Sequence, residues 1–426
     1  MERETQKTIV IAGAGFAGLR LAMELKNTDY KVLIIDQHNY HQFQPLMYQV
    51  ATARLEPTSI SFPLRKIFQE YKNTTVRIAE ITQVNPDTKT LSTSIGNFSY
   101  DYLVLSFGTR TNYFGNEGLQ KYAYPMKSVP EALQLRNHIL QTFEDSIKAD
   151  PKALEAMLNF VVVGGGPTGV ELAGALAEMK KNVLPKDYPD MDFSDLKVYL
   201  LEGLPNTLNN MSDASKKKSQ EYLEDLGVIV ETNTMVESYD GETVQLKGGR
   251  ELKSKNVIWA AGVTGKRLNG IPEEALVRGN RIKVNRLHEL INTPDIYAIG
   301  DIAYMETGDF PKGHPQLASV AISQAVHLAE NFKLKLKGKP LKFYEYKDKG
   351  SMATIGKRKA VVDLPQFSFQ GRFAWFFWML VHIMLILNLK NKLVIFINWV
   401  MSYFTNDSTL RVILKLPKGE EKVKEV

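Results

Sequence analysis

The chain has 426 residues, 44% hydrophobic and 23% charged, with a net charge of +6, which is the balance of an ordinary globular protein long enough for two or three domains. It holds no cysteine, so disulfides, thiolate metal sites and cysteine-based redox catalysis are excluded and no metal centre is expected. The charge excess forms no Lys/Arg-rich block with interleaved aromatics, so nucleic acid is not an expected partner. The short charged stretch Met1–Lys7 has no apolar signal-peptide core, so the catalytic body is expected to stay in the cytoplasm.

In chain order, Thr8-Ile9-Val10-Ile11-Ala12 runs into Gly13-Ala14-Gly15-Phe16-Ala17-Gly18, a G-x-G-x-x-G, and then into the helix-compatible Leu19–Lys26. In such a strand–turn–helix the first glycine permits the turn. The second lets backbone approach a pyrophosphate, and the third lets the helix pack on the strand. The helix N-terminus adds free N–H groups for the phosphates. A second strand, Lys31–Ile35, ends in Asp36, an acid placed for a ribose 2′-hydroxyl. His38-Asn39-Tyr40-His41-Gln42-Phe43-Gln44-Pro45-Leu46-Met47-Tyr48-Gln49-Val50-Ala51 follows. It suits either a ligand-lining loop with a short helix or a packed surface loop.

Residues 75–105 alternate in the β manner and close on Tyr102–Ser106. At Phe107-Gly108-Thr109 the glycine either lies close to a cofactor or turns the chain. Residues 130–157 read as helical. The opening pattern then repeats: strand Asn159–Val163, a second G-x-G-x-x-G from Gly164 through Gly166 to Gly169, helix Val170–Glu178, and strand Val198–Leu201 ending in Glu202. This acid lies beyond the usual ~20 residues from the glycines, and the Asp- and Pro-rich residues 182–196 supply the insertion. Glu202 suits a 2′-hydroxyl, would repel a 2′-phosphate and has no Arg beside it, so the site is expected to prefer NADH to NADPH. Glu171, early in the helix, suits the nicotinamide or a proton path, or else is an acid favoured by the helix dipole.

Alternating strands over 225–260 close on Val257–Val263, and a short strand from Thr293 ends in Gly300-Asp301. Asp301 either binds ribityl hydroxyls or caps a helix. His314-Pro315-Gln316-Leu317-Ala318 leads into a helix, Ser319–Lys333, whose N-terminus is placed to point at a flavin carbonyl.

The two glycine motifs with Asp36 and Glu202, then Ile258-Trp259-Ala260-Ala261-Gly262-Val263 and Ala298-Ile299-Gly300-Asp301, resemble the two-dinucleotide-domain flavoproteins built like glutathione reductase. Within these, the stretches Phe43–Ala51 and Asp348–Gly356, and a tail with Asn398-Trp399 and Ser402-Tyr403-Phe404, resemble type II NADH:quinone oxidoreductase, the single-subunit NADH dehydrogenase of respiratory chains. The resemblance covers essentially the whole chain. It implies an α/β fold of two Rossmann-like domains, the NADH domain (126–275) inserted into the FAD domain (1–125 and 276–345), with a C-terminal quinone-side, membrane-associating helical region (346–426). It implies FAD at Gly13, Gly15, Gly18, Asp36, Gly108, Thr109, Asp301 and Ala318, and NADH at Gly164, Gly166, Gly169, Glu171, Glu202 and Gly262.

The same resemblance implies hydride transfer from NADH to FAD and passage of two electrons to a membrane quinone, menaquinone or ubiquinone, without proton pumping. It puts the quinone between the Gln316–Gln324 segment and the C-terminal helices. Many members carry Ala-Gln-x-Ala-x-Gln there. This chain has Ala318-Ser319-Val320-Ala321-Ile322-Ser323 and then Gln324, so Gln316 and Gln324 are both candidates for the quinone contact. Glu171 is the candidate for managing a proton and Lys390 a further quinone-side residue. The missing cysteines exclude the disulfide reductases, NADH peroxidases and sulfide:quinone reductases of this architecture. A soluble NADH-dependent ferredoxin or rubredoxin reductase shares both nucleotide sites and is one alternative; a redox-sensing or structural flavoprotein that binds both nucleotides but turns over slowly is the other.

The tail separates these readings. Residues 374–387 are strongly apolar, the run breaks at Asn388–Lys392, and a second run covers Leu393–Phe404. Neither reaches the ~20 residues that span a bilayer. Short apolar helices with Trp at one end and Lys at the other suit the membrane interface. From Gly371 on, eight Lys and Arg face four acids, an excess that favours anionic headgroups. A buried dimerisation segment and a transmembrane hairpin are the other readings, the hairpin disfavoured by the length of its arms. The expected placement is peripheral, on the cytoplasmic face of the cell membrane, as a homodimer.

Overall fold

The computed structural model describes residues 6–405, 407 and 410–413. Of the basic residues counted in the tail, Lys415, Lys418, Lys422 and Lys424 lie outside the described residues. Packing divides the chain into two compact units. The first takes the chain up to Gln42, Ser61–Asn112 and Gly262–Lys349; the second takes Phe43–Ile60, Tyr113–Ala261 and the chain from Gly350 on. These junctions differ from the sequence boundaries at 125/126, 275/276 and 345/346 for a packing reason. Strand Thr109–Thr111 pairs antiparallel with strand Val263–Gly265 inside the first unit. Helix Met47–Ala51 packs on helices Val129–Ser146 and Pro167–Asn182 of the second.

The first unit is built on a five-stranded parallel sheet. Across it the strands run Ile296–Ala298, Tyr102–Leu105, Thr8–Ala12, Lys31–Asp36 and Thr74–Ile78. Strand Thr8–Ala12 is central and almost entirely buried, as a parallel strand covered on both faces must be. Its core joins Val10, Leu103, Leu105 and Ala298 to Val320 of helix Ala318–Leu336.

The second unit repeats this plan. Its parallel sheet runs Tyr124–Pro125, Asn256–Trp259, Asn159–Val163, Lys197–Leu201 and Val228–Glu231. The correspondence reaches individual bonds. Gly13 N–H donates to Ile35 O and Gly164 N–H to Leu201 O, each at 2.8 Å; Ser106 N–H donates to Ala12 O and Ala260 N–H to Val163 O, again at 2.8 Å.

The helical stretch expected over 130–157 is two helices, Val129–Ser146 and Pro151–Leu158. Asp150 makes the break: its Oδ1 accepts the N–H groups of Lys152 and Ala153 at 3.0 and 2.9 Å, while Pro151 opens the second helix. Beyond Gly350 come a three-stranded antiparallel sheet (Ser351–Thr354, Ala360–Asp363, Ser368–Gly371) and two helices, Arg372–Leu385 and Leu389–Thr405. No described helix is long and apolar enough to cross a membrane.

Candidate active site: two cradles and a buried carboxylate

Each glycine motif forms the same cradle. Gly13 and Gly164 hold φ of +105° and +113°, which only glycine adopts without strain. A Cβ at Gly18 would lie 1.9 Å from Gly13 O, and one at Gly169 1.9 Å from Gly164 O, so the third glycines are closed by the fold. The middle glycines are different. A Cβ at Gly15 meets nothing closer than Ser106 O at 4.0 Å, and one at Gly166 meets nothing within 4 Å. That open space over bare backbone is what a pyrophosphate needs. The helices starting there, Phe16–Glu24 and Pro167–Asn182, have no side-chain cap. By contrast, helices beginning at Glu117, Val129, Pro151 and Asp213 are capped by Asn116, Ser128, Asp150 and Ser212. Helix N-termini left with unsatisfied N–H groups suit phosphate oxygens.

The two acids close their cradles in the same way. Asp36 Oδ2 accepts Ala14 N–H and Oδ1 accepts His38 N–H, both at 2.7 Å. Glu202 Oε2 accepts Gly165 N–H, and Oε1 accepts Leu204 N–H at 2.7 Å. Ala14 and Gly165 are the same position of the two motifs. Each carboxylate thus pins its glycine loop. Burial raises the Asp36 carboxyl, against these two N–H donors. The long gap before Glu202 is the short helix Leu184–Asp187 and the turns after it.

In the first unit, Gly108 sits at φ +69° with open space where a Cβ would be. Thr109 Oγ1 donates to Asp301 Oδ2 at 3.4 Å. Asp301 lies within the 3-10 turn Gly300–Ile302, whose N-cap is Ile299, so it is not a helix cap. Gln316 Nε2 donates to Asp301 O at 3.0 Å. Gln324 is buried, and its Oε1 accepts Gly300 N–H at 2.7 Å; its carbonyl holds the turn that presents Asp301. Ala318 begins helix Ala318–Leu336, which has no side-chain cap at Leu317. Gly262 O accepts Asn112 N–H at 3.1 Å beside the Thr109–Thr111 strand.

In the second unit, Glu171 lies on a helix buried on nearly every face. Glu171, Gly174 and Glu178 recur at i, i+3 and i+7, so they form one stripe. That stripe meets the turn after strand Ser351–Thr354. Glu171 Oε1 takes Thr354 N–H at 3.3 Å and Thr354 Oγ1 at 3.5 Å. A Cβ at Gly174 would stand 2.8 Å from Gly356 N. Glu178 accepts Lys357 N–H and pairs with Arg54 at 2.5 Å. Burial pushes the Glu171 carboxyl up to about 8; the long Thr354 donors oppose this and lose. Arg54, Glu178 and Thr354 were not singled out from the sequence. The signal for them was there, in two acids and a glycine one stripe apart on an otherwise apolar helix.

Residues 43–60 carry the 3-10 turn Gln44–Leu46 and the helix Met47–Ala51 and are largely packed inside, with Thr58 exposed. Met47, Tyr48, Gln49, Val50 and Ala51 are all buried. The tail seats on this segment. Asn391 Nδ2 donates to Thr58 O and Ser59 O, both at 2.9 Å, and Trp399 Nε1 donates to Gln49 Oε1 at 2.8 Å. Trp378 stacks on His382 at 4.0 Å and meets Trp399 at 5.4 Å. The opposite face is bare: Phe373 and Leu389 are 72% exposed, Met384 67% and Phe404 77%. Lys390 is exposed in the first turn of the tail helix and takes no part in the Glu171 cluster.

A dinucleotide cradle repeated on two parallel sheets defines an oxidoreductase of the two-dinucleotide-domain class. The profile of the pyridine nucleotide-disulphide oxidoreductases matches residues 7–325, and that of the NDH2 C-terminal domain matches residues 349–406. The chain belongs to the type II NADH:quinone oxidoreductases within that class. It is 32% identical to the type II NADH:quinone oxidoreductase Ndh of Mycobacterium tuberculosis, over 93% of this chain and 88% of the relative. It is 28% identical to the external NADH-ubiquinone oxidoreductase 2 of Saccharomyces cerevisiae mitochondria, over 94% of this chain and 81% of the relative. Its fold matches the NDH2 of Plasmodium falciparum, solved in complex with NADH, at a TM-score of 0.88 and 23% identity, covering 96% of this chain and all of that one. FAD and NADH are its cofactor and its electron donor.

Proposed function

We propose that the first cradle, at Gly13–Gly18 with Asp36, holds FAD, and that the second, at Gly164–Gly169 with Glu202, holds NADH, in an NADH:quinone oxidoreductase working at a membrane surface. The observation that carries this reading is the duplicated cradle: two open middle glycines and two acids pinned to the same motif position. Bound FAD supplies hydride acceptance from NADH and two-electron delivery to the quinone. The protein's own part is alignment and protons. Gly15 and Gly166 leave room for the pyrophosphates. Asp36 and Glu202 would hold the ribose ends, and Asp301, held by Thr109 and Gln316, would bind the ribityl hydroxyls. Gln316 is the better placed of the two glutamines for the quinone, because it is half-buried while Gln324 is 1% exposed.

Glu171 manages a proton for quinone reduction. A carboxyl raised to about 8 carries its proton at neutral pH and can release it. Glu171→Gln is expected to slow quinone turnover at least tenfold while flavin reduction by NADH persists. Normal quinone turnover in that variant sinks the assignment. Lys390, exposed at the tail, is read as a headgroup contact rather than as a reacting group.

The bare aromatic face of the tail supports peripheral association with the cytoplasmic face of the cell membrane, where the quinone, menaquinone or ubiquinone, is dissolved. A homodimer suits the same surface. The test is NADH oxidation with a water-soluble quinone by the full chain and by one ending at Gly371. Fast FAD-dependent turnover preferring NADH over NADPH, reduced by the truncation, is the expected result. Brisk transfer to a small iron–sulfur protein, with little to quinone, would support the soluble reductase instead.

A further inference from the structure

Five buried side chains link the tail helix to Glu171. Trp399, Gln49, Tyr48, Thr354 and Glu171 are each no more than 8% exposed. The steps are Trp399 Nε1 to Gln49 Oε1 at 2.8 Å, Gln49 Nε2 to Tyr48 Oη at 3.0 Å, Tyr48 Oη to Thr354 Oγ1 at 3.0 Å and Thr354 Oγ1 to Glu171 Oε1 at 3.5 Å. All five lie in the second unit.

The direction of this chain is not free. An indole N–H can only donate. Trp399 therefore fixes the carbonyl end of the Gln49 amide toward itself and the NH₂ end toward Tyr48. Tyr48 Oη, receiving that donor, spends its one hydrogen on Thr354 Oγ1. Thr354 then spends its own on Glu171. Every donor points at the carboxylate, which is the arrangement that favours its charged form. Without Trp399 the Gln49 amide is free to turn over. The whole chain then reverses, with protonated Glu171 donating to Thr354, Thr354 to Tyr48 and Tyr48 to the Gln49 carbonyl.

We propose that Trp399 sets the direction of this hydrogen-bond chain, so that seating of helix Leu389–Thr405 on Phe43–Ile60 makes Glu171 a readier proton donor. Trp399, Gln49 and Tyr48 are positioning residues. They act on Glu171 through Thr354. The proposal rests on the reading of Glu171 as the proton-managing group.

The surrounding charges are accounted for by other partners. Arg54, beyond helix Met47–Ala51, is paired with Glu178, two turns along the Glu171 helix. The Lys357 ammonium donates to Ser402 O and Tyr403 O. Helix Asp213–Asp225 turns Ser215, Ser219 and Leu223 inward. On the neighbouring strands, Lys197 is exposed, Tyr199 packs on the Trp259 cluster and Glu231 pairs with Arg250. Asp187 of the short helix Leu184–Asp187 pairs with Arg411.

The test is an infrared pH titration of the Glu171 carboxyl in the full-length FAD-loaded enzyme, its band identified by loss in Glu171→Gln. The pH profile of quinone turnover is recorded beside it. Trp399→Phe keeps an aromatic ring and removes the N–H. Its carboxyl midpoint is expected to rise by about one pH unit, and the quinone profile should follow. Reduction of ferricyanide, an acceptor that takes no proton, should keep its pH profile. Gln49→Glu still accepts from Trp399 but turns the Tyr48 O–H away from Thr354, and should shift the midpoint the same way. Tyr48→Phe breaks the chain without touching the tail, and decides the matter if Trp399→Phe loses FAD. Unmoved midpoints overturn the proposal. If Glu171→Gln keeps normal quinone turnover while the midpoints move, the catalytic reading of Glu171 falls and the directed chain stands.

Discussion

At the scale of single residues, the glycines of one motif do opposite jobs, and substitution separates them. Gly18→Ala puts a methyl group 1.9 Å from Gly13 O. Backbone must move, and a loss of about 2–4 kcal/mol in unfolding free energy is expected by chemical denaturation. Gly15→Ala meets open space. It should fold with nearly unchanged stability and purify with reduced FAD content, read from its visible absorbance. Equal destabilisation in the two variants would refute the division. Glu171 makes a second residue-scale prediction. Its folded value, about 8, lies above the ordinary 4.5, so the native state binds the extra proton. The stabilisation this brings is complete below about 4.5 and is lost as pH rises through 8. Thermal unfolding of the wild type should therefore lose stability relative to Glu171→Gln between pH 5 and 8, and the difference between the two melting curves isolates this carboxyl.

At the scale of elements, two features hold the C-terminal layer on the second nucleotide fold. Gly174 lets the turn at Gly356 come within contact of the Pro167–Asn182 helix; Gly174→Ala would push against Gly356 N at 2.8 Å. The displaced turn carries Thr354 with it. Quinone turnover is expected to fall severalfold while NADH binding, read by flavin fluorescence, is kept. The other feature is the end of the tail helix. Lys357 Nζ donates to Ser402 O and, at 2.6 Å, to Tyr403 O, and Arg358 reaches Tyr403 O at 3.2 Å. Two cations on the last carbonyls of a helix satisfy orphan acceptors and oppose its negative end. Lys357→Met should fray that end by about 1 kcal/mol, detected as faster proteolysis near Ser402 in the intact protein.

At the scale of the whole molecule, the tail turns one face inward onto Phe43–Ile60 and leaves another bare. Phe373, Phe376, Leu380 and Met384 recur along one helix, and Leu389, Leu393, Phe396 and Phe404 along the next. An exposed apolar face of this kind marks an interaction surface. The full chain should float with liposomes containing anionic lipid, and the chain ending at Gly371 should stay at the bottom of the gradient. Binding should weaken in high salt only in part, because burial of the apolar face contributes more than attraction to the headgroups. Sedimentation of the full chain without lipid, as a stable dimer that no longer floats, would assign the face to self-association.

What the sequence determined by itself is local or periodic. Gly13-x-Gly15-x-x-Gly18 and its repeat at Gly164 carried both cradles, because the chemistry of a close backbone approach admits one residue type. Asp36 and Glu202 were legible because each ends a strand that neighbours a glycine strand. The tail was legible as two short apolar runs broken at Asn388. The structure decided what depends on which distant segments meet. It split the 130–157 stretch at Asp150, where a side-chain cap outweighs apolar periodicity. It buried Phe43–Ala51 beneath the tail, a packing that no local pattern in an aromatic, amide-rich stretch specifies. It gave Gln324 to Gly300 N–H and Thr354 to Glu171, partners 24 and 183 residues apart. The raised proton affinity of Glu171 is of the same kind, because a carboxyl is perturbed by the water it loses, and only tertiary packing removes that water.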